Sequence, residues 1–557
     1  MAGYRNSQFQ PRDGTSNQQK NNAISIRYLV VVCGIFLAII CLYKIATYLC
    51  REHRRAIVLA NLDRQQYWEL NHISLLVQLK KHITYAPLWR KNYQTRIQIS
   101  GIDIGSLPGR FDFLVLLGWT AFNLLWVTYP MSQSSSHVAI LRSRAGVAAL
   151  FNIFPVLLFS LKNNPLIPLL NIPFGTFNTF HRWVARLCAM EILLHVCAWL
   201  WSIRASGWKG MIEGMYGVSL ICGAVSTIAA IVILLQAWSP LRHLFYEIFL
   251  ILHKVFSFIV FLGIYLHLFF IHLPQSYWMY FIATIWISDV ISRLSRLAHK
   301  GITDVTVRAL EGGACRVTFQ LRTVCHIKPG TYIYVWVPKI ARFESHPFSI
   351  AWSVPQQSST NISVLIRAQK GFTKEIYDIA QATPKKLILT RGFCEGFYGN
   401  YDDLSSYGHV VLLAGGIGIT HHVMYLKNLL EGYRDGIVAA KCIHLVWCFP
   451  TSDYFNWVRP WMEKTFTILC CEDVLRISLY LTQKDDMRGM DGIPTWVTIE
   501  YGRCNVASVI RGSIAGGSGA LAVAVCGPPS LSDAARVAVR DRVEQRAIDF
   551  YDTAFAY

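Results

Sequence analysis

Four histidines in the apolar half of this chain have the residue type and spacing to bind metal. His181 and His195 lie 14 residues apart in HRWVARLCAMEILLHVCAWLW, and His253 and His267 lie 14 apart in LHKVFSFIVFLGIYLHLFF. On an α-helix that spacing is a translation of roughly 21 Å and a rotation about 40° short of four full turns, so both histidines of each stretch look out from nearly one face. Two such helices side by side offer two imidazole pairs at two depths. Ionisable groups are costly inside a bilayer and need partners, and haem iron supplies one through its axial positions. The pattern is the ligand set for two bis-histidine haems stacked across a membrane. A single histidine in a span more often packs against a polar neighbour or lines a cavity. Matched spacing is what separates these four from His243 and His272, which sit near span ends and read as structural or interfacial. Arg182 directly follows His181 and either pairs with a haem propionate or extends to the inner interface.

Such helices need a membrane around them. The chain has 557 residues, of which 53% are hydrophobic, and its mean hydropathy is positive, which implies several domains, some of them embedded. The formal charge is +20 although only 15% of residues are charged. The basic residues cluster beside apolar segments, where the positive-inside rule accounts for them, so nucleic acid is not the expected partner. The 15 cysteines are scattered and form no CxxC, which argues against a zinc site or a disulfide scaffold.

Residues 1–27 are rich in Asn, Gln and Ser and read as a disordered tail. Residues 28–50 are apolar enough for an N-terminal transmembrane helix, with cleavage as a signal peptide the lesser reading. Residues 51–110 carry ten Lys or Arg against four acids and read as a cytosolic linker. Residues 111–298 hold six further spans, near Phe111 to Tyr129, Ala145 to Leu161, His181 to Trp201, Gly217 to Trp238, Ile248 to Leu273 and Trp278 to Ile291, for seven in all. Counting from the basic linker, both histidine helices run from inside to outside. His181 and His253 then share the inner depth, and His195 and His267 the outer one.

After residue 300 the character changes. DVTVRAL, CRVTFQL and TYIYVWVP are short, β-branched or aromatic segments between Gly and Pro turns, as in a small antiparallel barrel or sandwich over 299–405. Residues 406–557 open with HVVLLA, a glycine turn, a helical run and CIHLVWCF, a βαβ unit of a doubly wound sheet. ALAVAV then leads into CGPP and a last helix, and Lys484 to Gly519 reads largely as a loop or insertion. The expected fold class is a multi-domain membrane protein: an α-helical haem domain followed by a cytosolic β-barrel and an α/β nucleotide-binding domain.

Three motifs in the soluble half suit a bound dinucleotide. HPFSIAW (His346 to Trp352) supplies a proline-fixed turn, an aromatic ring and a hydroxyl, although in isolation it reads as a barrel strand after a turn. RAQKGFT supplies Arg367, Lys370, Gly371 and Thr373, and cations with free N–H groups at a glycine turn suit a pyrophosphate. Together the pair fits a flavin dinucleotide. LLAGGIGIT (Leu412 to Thr420) lies where a strand meets a helix, where glycines let backbone approach a phosphate. Its GGxGxT spacing departs from the usual fingerprint, and a tight strand-to-helix turn is the plainer reading. CGPP (Cys526 to Pro529) closes a strand at the same edge of the expected sheet, where a thiol could face a nicotinamide or simply fill space before a proline turn.

Read in order, NNPL (Asn163 to Leu166), FHRW (Phe180 to Trp183), the two histidine spacings, HPFSI, KGFT, GGIGIT and CGPP resemble a fungal-type ferric reductase of the NADPH oxidase and ferric reductase superfamily, over residues 111–557. The resemblance implies two b-type haems, FAD and NADPH, and electrons passing from cytosolic NADPH through FAD and the haems to an acceptor outside. It implies His181 and His253 as inner-haem ligands and His195 and His267 as outer-haem ligands. His346, Pro347, Phe348 and Ser349 fall at the flavin, and Lys370, Gly371 and Thr373 at its phosphates. Gly415, Gly416, Gly418 and Thr420 fall at the NADPH phosphates, Cys526 and Gly527 near the nicotinamide, and the terminal Tyr557 over the flavin ring.

The implied activity is an NADPH-dependent ferric-chelate reductase, acting on ferric chelates or siderophores and on cupric ions as a further substrate. A multi-pass place in the plasma membrane, contact with lipid and an iron permease or oxidase as partner go with it. A superoxide-generating NADPH oxidase would use the same cofactors, and a non-enzymatic sensor or transporter subunit could retain the fold. Three departures bear on the nucleotide lobe. His421 stands where proline usually follows the glycines, EGFYG has Phe397 for proline, and Trp447-Cys448-Phe449-Pro450 lacks the arginine often found three residues after the tryptophan. Such an arginine would face a 2′-phosphate, so the choice between NADPH and NADH is left open; Thr451 and Ser452 are substitute donors.

Overall fold

The computed structural model describes residues 13–553 apart from 61, 90–92, 94–95, 100–101, 107, 129–136, 205–216, 343, 469–470 and 485–489. Helix α1 (Asp13–Ala60) is followed by α2 (Arg110–Thr128), α3 (His137–Ser160), α4 (Phe174–Ile203), α5 (Val218–Gln236), α6 (Tyr246–Phe270) and α7 (Ser276–Lys300). Among the described residues, α2 to α6 are long and apolar enough to cross a membrane. They correspond to the second to sixth of the seven expected spans. The expected last span holds only 14 residues, short for a crossing, and α7 continues through Asp289, Arg293, Arg296 and Lys300 into the soluble half. Helix α3 packs along α4, and α5 along α6. Small residues allow the second contact: a Cβ on Gly263 of α6 would meet the Cys222 carbonyl of α5 at 3.0 Å.

Strands β1 (Thr303–Leu310), β2 (Ala314–Leu321), β3 (Tyr332–Trp336), β4 (His346–Pro355), β5 (Thr360–Arg367) and β6 (Leu387–Tyr398) close a barrel in the order β1-β2-β5-β4-β3-β6. Every pairing in it is antiparallel. Helix α8 (Phe372–Gln381) plugs the barrel with Phe372, Ile376 and Ala380.

Strands β7 (His409–Gly415), β8 (Cys442–Phe449), β9 (Leu475–Leu481), β10 (Thr498–Tyr501), β11 (Leu521–Cys526) and β12 (Ile548–Asp552) form a parallel sheet ordered β10-β9-β8-β7-β11-β12. Every residue of β7 and β11 is buried, as expected of parallel strands covered on both faces. Helix α9 (Ile419–Arg434) follows β7, α10 (Asp453–Phe466) follows β8, and α11 (Val506–Ala515) and α12 (Pro529–Arg540) flank β11. The expected loop at Lys484 to Gly519 is in part regular, since it contains β10 and α11. Its Thr498–Tyr501 run is a short, largely exposed edge strand, which hydrophobic patterning does not reveal.

One expectation at the N-terminal end differs from the structure. Residues 13–27 of the expected tail are helical and continuous with the apolar run, so α1 spans 48 residues; residues 1–12 lie outside the described residues. The expected linker packs against the nucleotide lobe. Arg54 Nη2 donates to Ser406 Oγ at 2.9 Å, Gln65 Nε2 to the Ala439 carbonyl at 2.7 Å, and Ala547 N to the Glu69 carbonyl at 2.6 Å. Lys80 Nζ meets Asp549 Oδ1 at 2.6 Å, Phe550 N donates to Tyr85 Oη at 3.1 Å, and Tyr93 N donates to Asp533 Oδ1 at 2.9 Å.

Candidate redox site

Helices α4 and α6 carry the four histidines. The His181 and His253 rings lie with centroids 6.1 Å apart and planes inclined at 74°. An iron bonded to two imidazoles at ~2 Å each would hold their centroids about 6 Å apart, so this pair fits a shared axial iron. Hydrogen bonding at the other ring nitrogen fits as well. His181 Nδ1 bonds to the Val156 carbonyl at 2.8 Å, His195 Nδ1 to the Arg142 carbonyl at 2.7 Å and His267 Nδ1 to the Ser219 carbonyl at 2.8 Å. A carbonyl accepts only, so each Nδ1 carries the proton and each Nε2 keeps a lone pair that could bind a metal. His253 differs: its Nδ1 is buried with no partner among the described residues. Beside His181, Arg182 Nη2 donates to Thr179 Oγ1 at 3.1 Å, while its Nε is buried without a partner, which suits a propionate there.

Between the two histidine depths lies a polar cluster that sequence reading did not single out. Asn152 of α3 accepts from Trp119 Nε1 at 3.0 Å and donates to Asn123 Oδ1 at 2.9 Å and to Glu191 Oε2 at 2.8 Å. Glu191 is 5% exposed, and the cluster joins α2, α3 and α4 where bare polar groups would be costly. An intramembrane Asn or Glu was the available signal.

The flavin motifs come together. HPFSI forms the start of β4, with Val335↔His346, Tyr334↔Pro347, Ile333↔Phe348 and Tyr332↔Ser349 paired to β3. The His346 ring stacks on Phe372 at 5.0 Å, directly after Gly371, whose φ of 56° caps α8. Thr373 Oγ1 accepts from Gln369 N at 3.1 Å and donates to the Lys370 carbonyl at 3.0 Å. Lys370 and the α8 N-terminus thus stand beside the strand that carries His346, an arrangement suited to a pyrophosphate.

The nucleotide motifs also meet. Strand order reverses between β7 and β11, and ligands of such sheets bind at that crevice beyond the strand ends. GGIGIT leaves β7 there and CGPP leaves β11, with Ala414↔Cys526 in register. Their glycines let the turns interlock: a Cβ on Gly418 would collide with the Cys526 carbonyl, and one on Gly527 would meet Gly415 N at 2.9 Å. Gly416 has φ 53°, its carbonyl accepts from Trp447 Nε1 at 3.0 Å, and Thr420 Oγ1 donates to the Ile417 carbonyl at 3.0 Å. Cys526 is fully buried, and burial pushes its thiol well up, so it is protonated here and walled off from solvent. His421 is buried and pushed down to about 4 by that burial, and its Nε2 meets Thr553 Oγ1 at 3.2 Å. Tyr557 lies outside the described residues.

A junction of charges joins the membrane helices to the barrel. Glu395 of EGFYG accepts from Arg293 Nε at 2.6 Å and from Tyr398 Oη at 2.7 Å, and Lys162 lies 3.5 Å away. Lys162 also stands over the Tyr334 ring at 3.3 Å. Asn163 N donates to Asp289 Oδ1 at 3.1 Å, and Arg296 to Asn163 Oδ1. This gives the NNPL asparagine a structural role where the apolar helices meet the barrel, which the sequence motif alone did not explain.

Comparisons with known proteins agree with this layout. Residues 145–264 match "Ferric reductase like transmembrane component", 299–402 match "FAD-binding domain", and 407–491 match "Ferric reductase NAD binding domain". With those three modules in succession, the chain belongs to the ferric reductase family of membrane flavoproteins. It is similar to "Ferric reductase transmembrane component 3" of Saccharomyces cerevisiae, 23% identical over 96% of this chain and 77% of that protein. It is also similar to "Ferric/cupric reductase transmembrane component 2" of the same yeast, 24% identical over 78% of this chain and 65% of that one. "Probable cell surface ferric reductase kap2" of Aspergillus oryzae is 27% identical over 65% of this chain and 51% of that protein.

Proposed function

We propose that the chain is a transmembrane ferric reductase that takes electrons from cytosolic NADPH or NADH and delivers them to ferric chelates on the far side of the plasma membrane. The observation that carries it is the facing of His181 and His253 at 6.1 Å on helices that each carry a second histidine 14 residues further on. When bound, FAD accepts a hydride and gives up electrons singly, and two haems carry them across the bilayer. His181 and His253 hold the inner haem, His195 and His267 the outer one, and Arg182 meets an inner propionate. Lys370, Gly371 and Thr373 hold the flavin phosphates against His346 to Ser349, and Gly415 to Thr420 cradle the nicotinamide nucleotide. The Glu395–Arg293 pair keeps the barrel against the inner membrane edge, so that the flavin and the inner haem stay in a fixed relation. The names of its relatives support ferric and cupric acceptors and a cell-surface location.

The test is NADPH-dependent reduction of an impermeant ferric chelate by sealed vesicles, with and without oxygen. Iron reduction that persists without oxygen supports the reading. Superoxide as the main product, with no direct iron reduction, would replace it with an oxidase. Purified protein without a reducible b-type haem spectrum would leave a non-enzymatic role.

A further inference from the structure

The two outer histidines share a device that the inner two lack. His195 donates Nδ1–H to the carbonyl of Arg142 on α3, and one turn later on α3 stands Gly146. A Cβ at Gly146 would lie 2.8 Å from His195 Nδ1 and 3.1 Å from its Cε1. His267 donates Nδ1–H to the carbonyl of Ser219 on α5, and one turn later on α5 stands Gly223. A Cβ there would lie 3.0 Å from His267 Nδ1 and 3.4 Å from its Cε1. In both cases a ring enters a notch made of a helix carbonyl and, four residues on, a glycine. At the inner depth His181 bonds to the Val156 carbonyl, but the residue one turn later is Ser160, and among the described residues His253 Nδ1 has no partner.

We infer that Gly146 and Gly223 are positioning residues for the outer haem, each opening the space through which an axial imidazole reaches the carbonyl that fixes its tautomer. The inference rests on the bis-histidine haem reading and deepens it. A methyl group at either position meets the imidazole at about 3 Å, inside ordinary contact distance for carbon, while the ring is tied at both ends, by its Nδ1 bond and by its metal bond. The ring must give by a few tenths of an ångström or more, which strains its bond to the carbonyl, and outer-shell bonds of this kind orient a ligand and tune its metal. Glycine mid-helix is otherwise unfavourable by ~1 kcal/mol against alanine, so two glycines at these positions mark a packing need. Ser219 adds to the second notch, because its Oγ lies 3.0 Å from His267 Nδ1.

The experiment purifies the full chain as wild type, G146A, G223A, S160A and H195A. Haem per FAD is then measured, and the haems are titrated potentiometrically under their visible spectrum. Expected are G146A and G223A with haem per FAD roughly halved, or with one of two redox components displaced, while the other component and the FAD content match wild type. H195A shows the same single loss, and S160A keeps both components. Two unshifted haems in G146A and G223A alongside a single loss in H195A would overturn the positioning role and leave the ligand reading standing. Two intact haems in H195A would instead remove the ligand reading, and this inference with it. Alanine variants that lose both haems, or fail to accumulate, would assign the glycines to helix packing and overturn the proposal.

Discussion

The imidazoles of His181 and His253 face one another from neighbouring helices with centroids 6.1 Å apart, while only the first has a partner for Nδ1. The inner pair is therefore unequal. A hydrogen-bonded imidazole is the more basic ligand. On the proposed haem reading, truncating His181 removes a ligand of fixed tautomer, and truncating His253 a ligand free to turn. Both variants, H181A and H253A, are expected to lose one of two haems by reduced-minus-oxidised spectroscopy and to stop transmembrane iron reduction, while NADPH oxidation by added soluble acceptors persists.

At the junction of barrel and membrane helices, Arg293 and Tyr398 both donate to Glu395. E395Q weakens that contact without removing the flavin site. Displacement of a donor by an ångström can cost on the order of 100-fold in rate, so flavin-to-haem transfer in stopped flow is expected to slow by about tenfold or more. Flavin reduction by NADPH should stay near wild type. Equal slowing of both steps would show that Glu395 acts within the flavin site.

In the nucleotide lobe, a methyl at Gly418 collides with the Cys526 carbonyl. G418A is expected to weaken nucleotide binding and to cost about 1–3 kcal/mol of lobe stability, read as a raised Kd for NADPH and a lower denaturant midpoint.

Pro450 stands three residues after the buried Trp447, which is held on the Gly416 carbonyl. With no guanidinium there, kcat/KM for NADPH and NADH is expected to differ by less than about tenfold, because a 2′-phosphate gains most of its selectivity from a bidentate cation. Pro450→Arg should shift the ratio towards NADPH.

Burial alone would raise the Asp549 carboxyl, but Lys80 at 2.6 Å and the nearby Arg54 hold it down to about 2, against 3.8 ordinarily. A carboxyl depressed in the fold contributes stability that is fully present above its unfolded value and is lost as pH falls through the folded one. Thermal stability of the wild type should therefore fall more steeply than that of D549N between about pH 4 and pH 2. At neutral pH, D549N should be less stable by about 3 kcal/mol, the usual result of leaving a buried cation unpaired.

Much of this site could be read from the chain because its signals are periodic or local. The 14-residue spacings put the four histidines on two faces, and the glycine turns placed GGIGIT and CGPP at strand ends that then proved adjacent. The features missed depend on partners distant in sequence. Gly146 and Gly223 are ordinary small residues in apolar helices until a ring 44 or more residues later meets them, and Glu395 gains meaning from Arg293 and Lys162. Strand β10 is too short and exposed to leave an apolar pattern. The charged end of α7 is equally invisible to hydropathy until the barrel is seen to receive it.

The segment from Arg54 to Tyr93 finds its partners at residues 406–552. Made well before those partners, it must wait for more than 450 further residues before Asp549 and Phe550 arrive. Contacts of such long sequence separation fold slowly. The nucleotide lobe is thus closed by two parts of the polypeptide made far apart in time, and a nascent chain truncated before β12 would hold this segment by its Ser406, Ala439 and Asp533 contacts without those to Asp549 and Phe550.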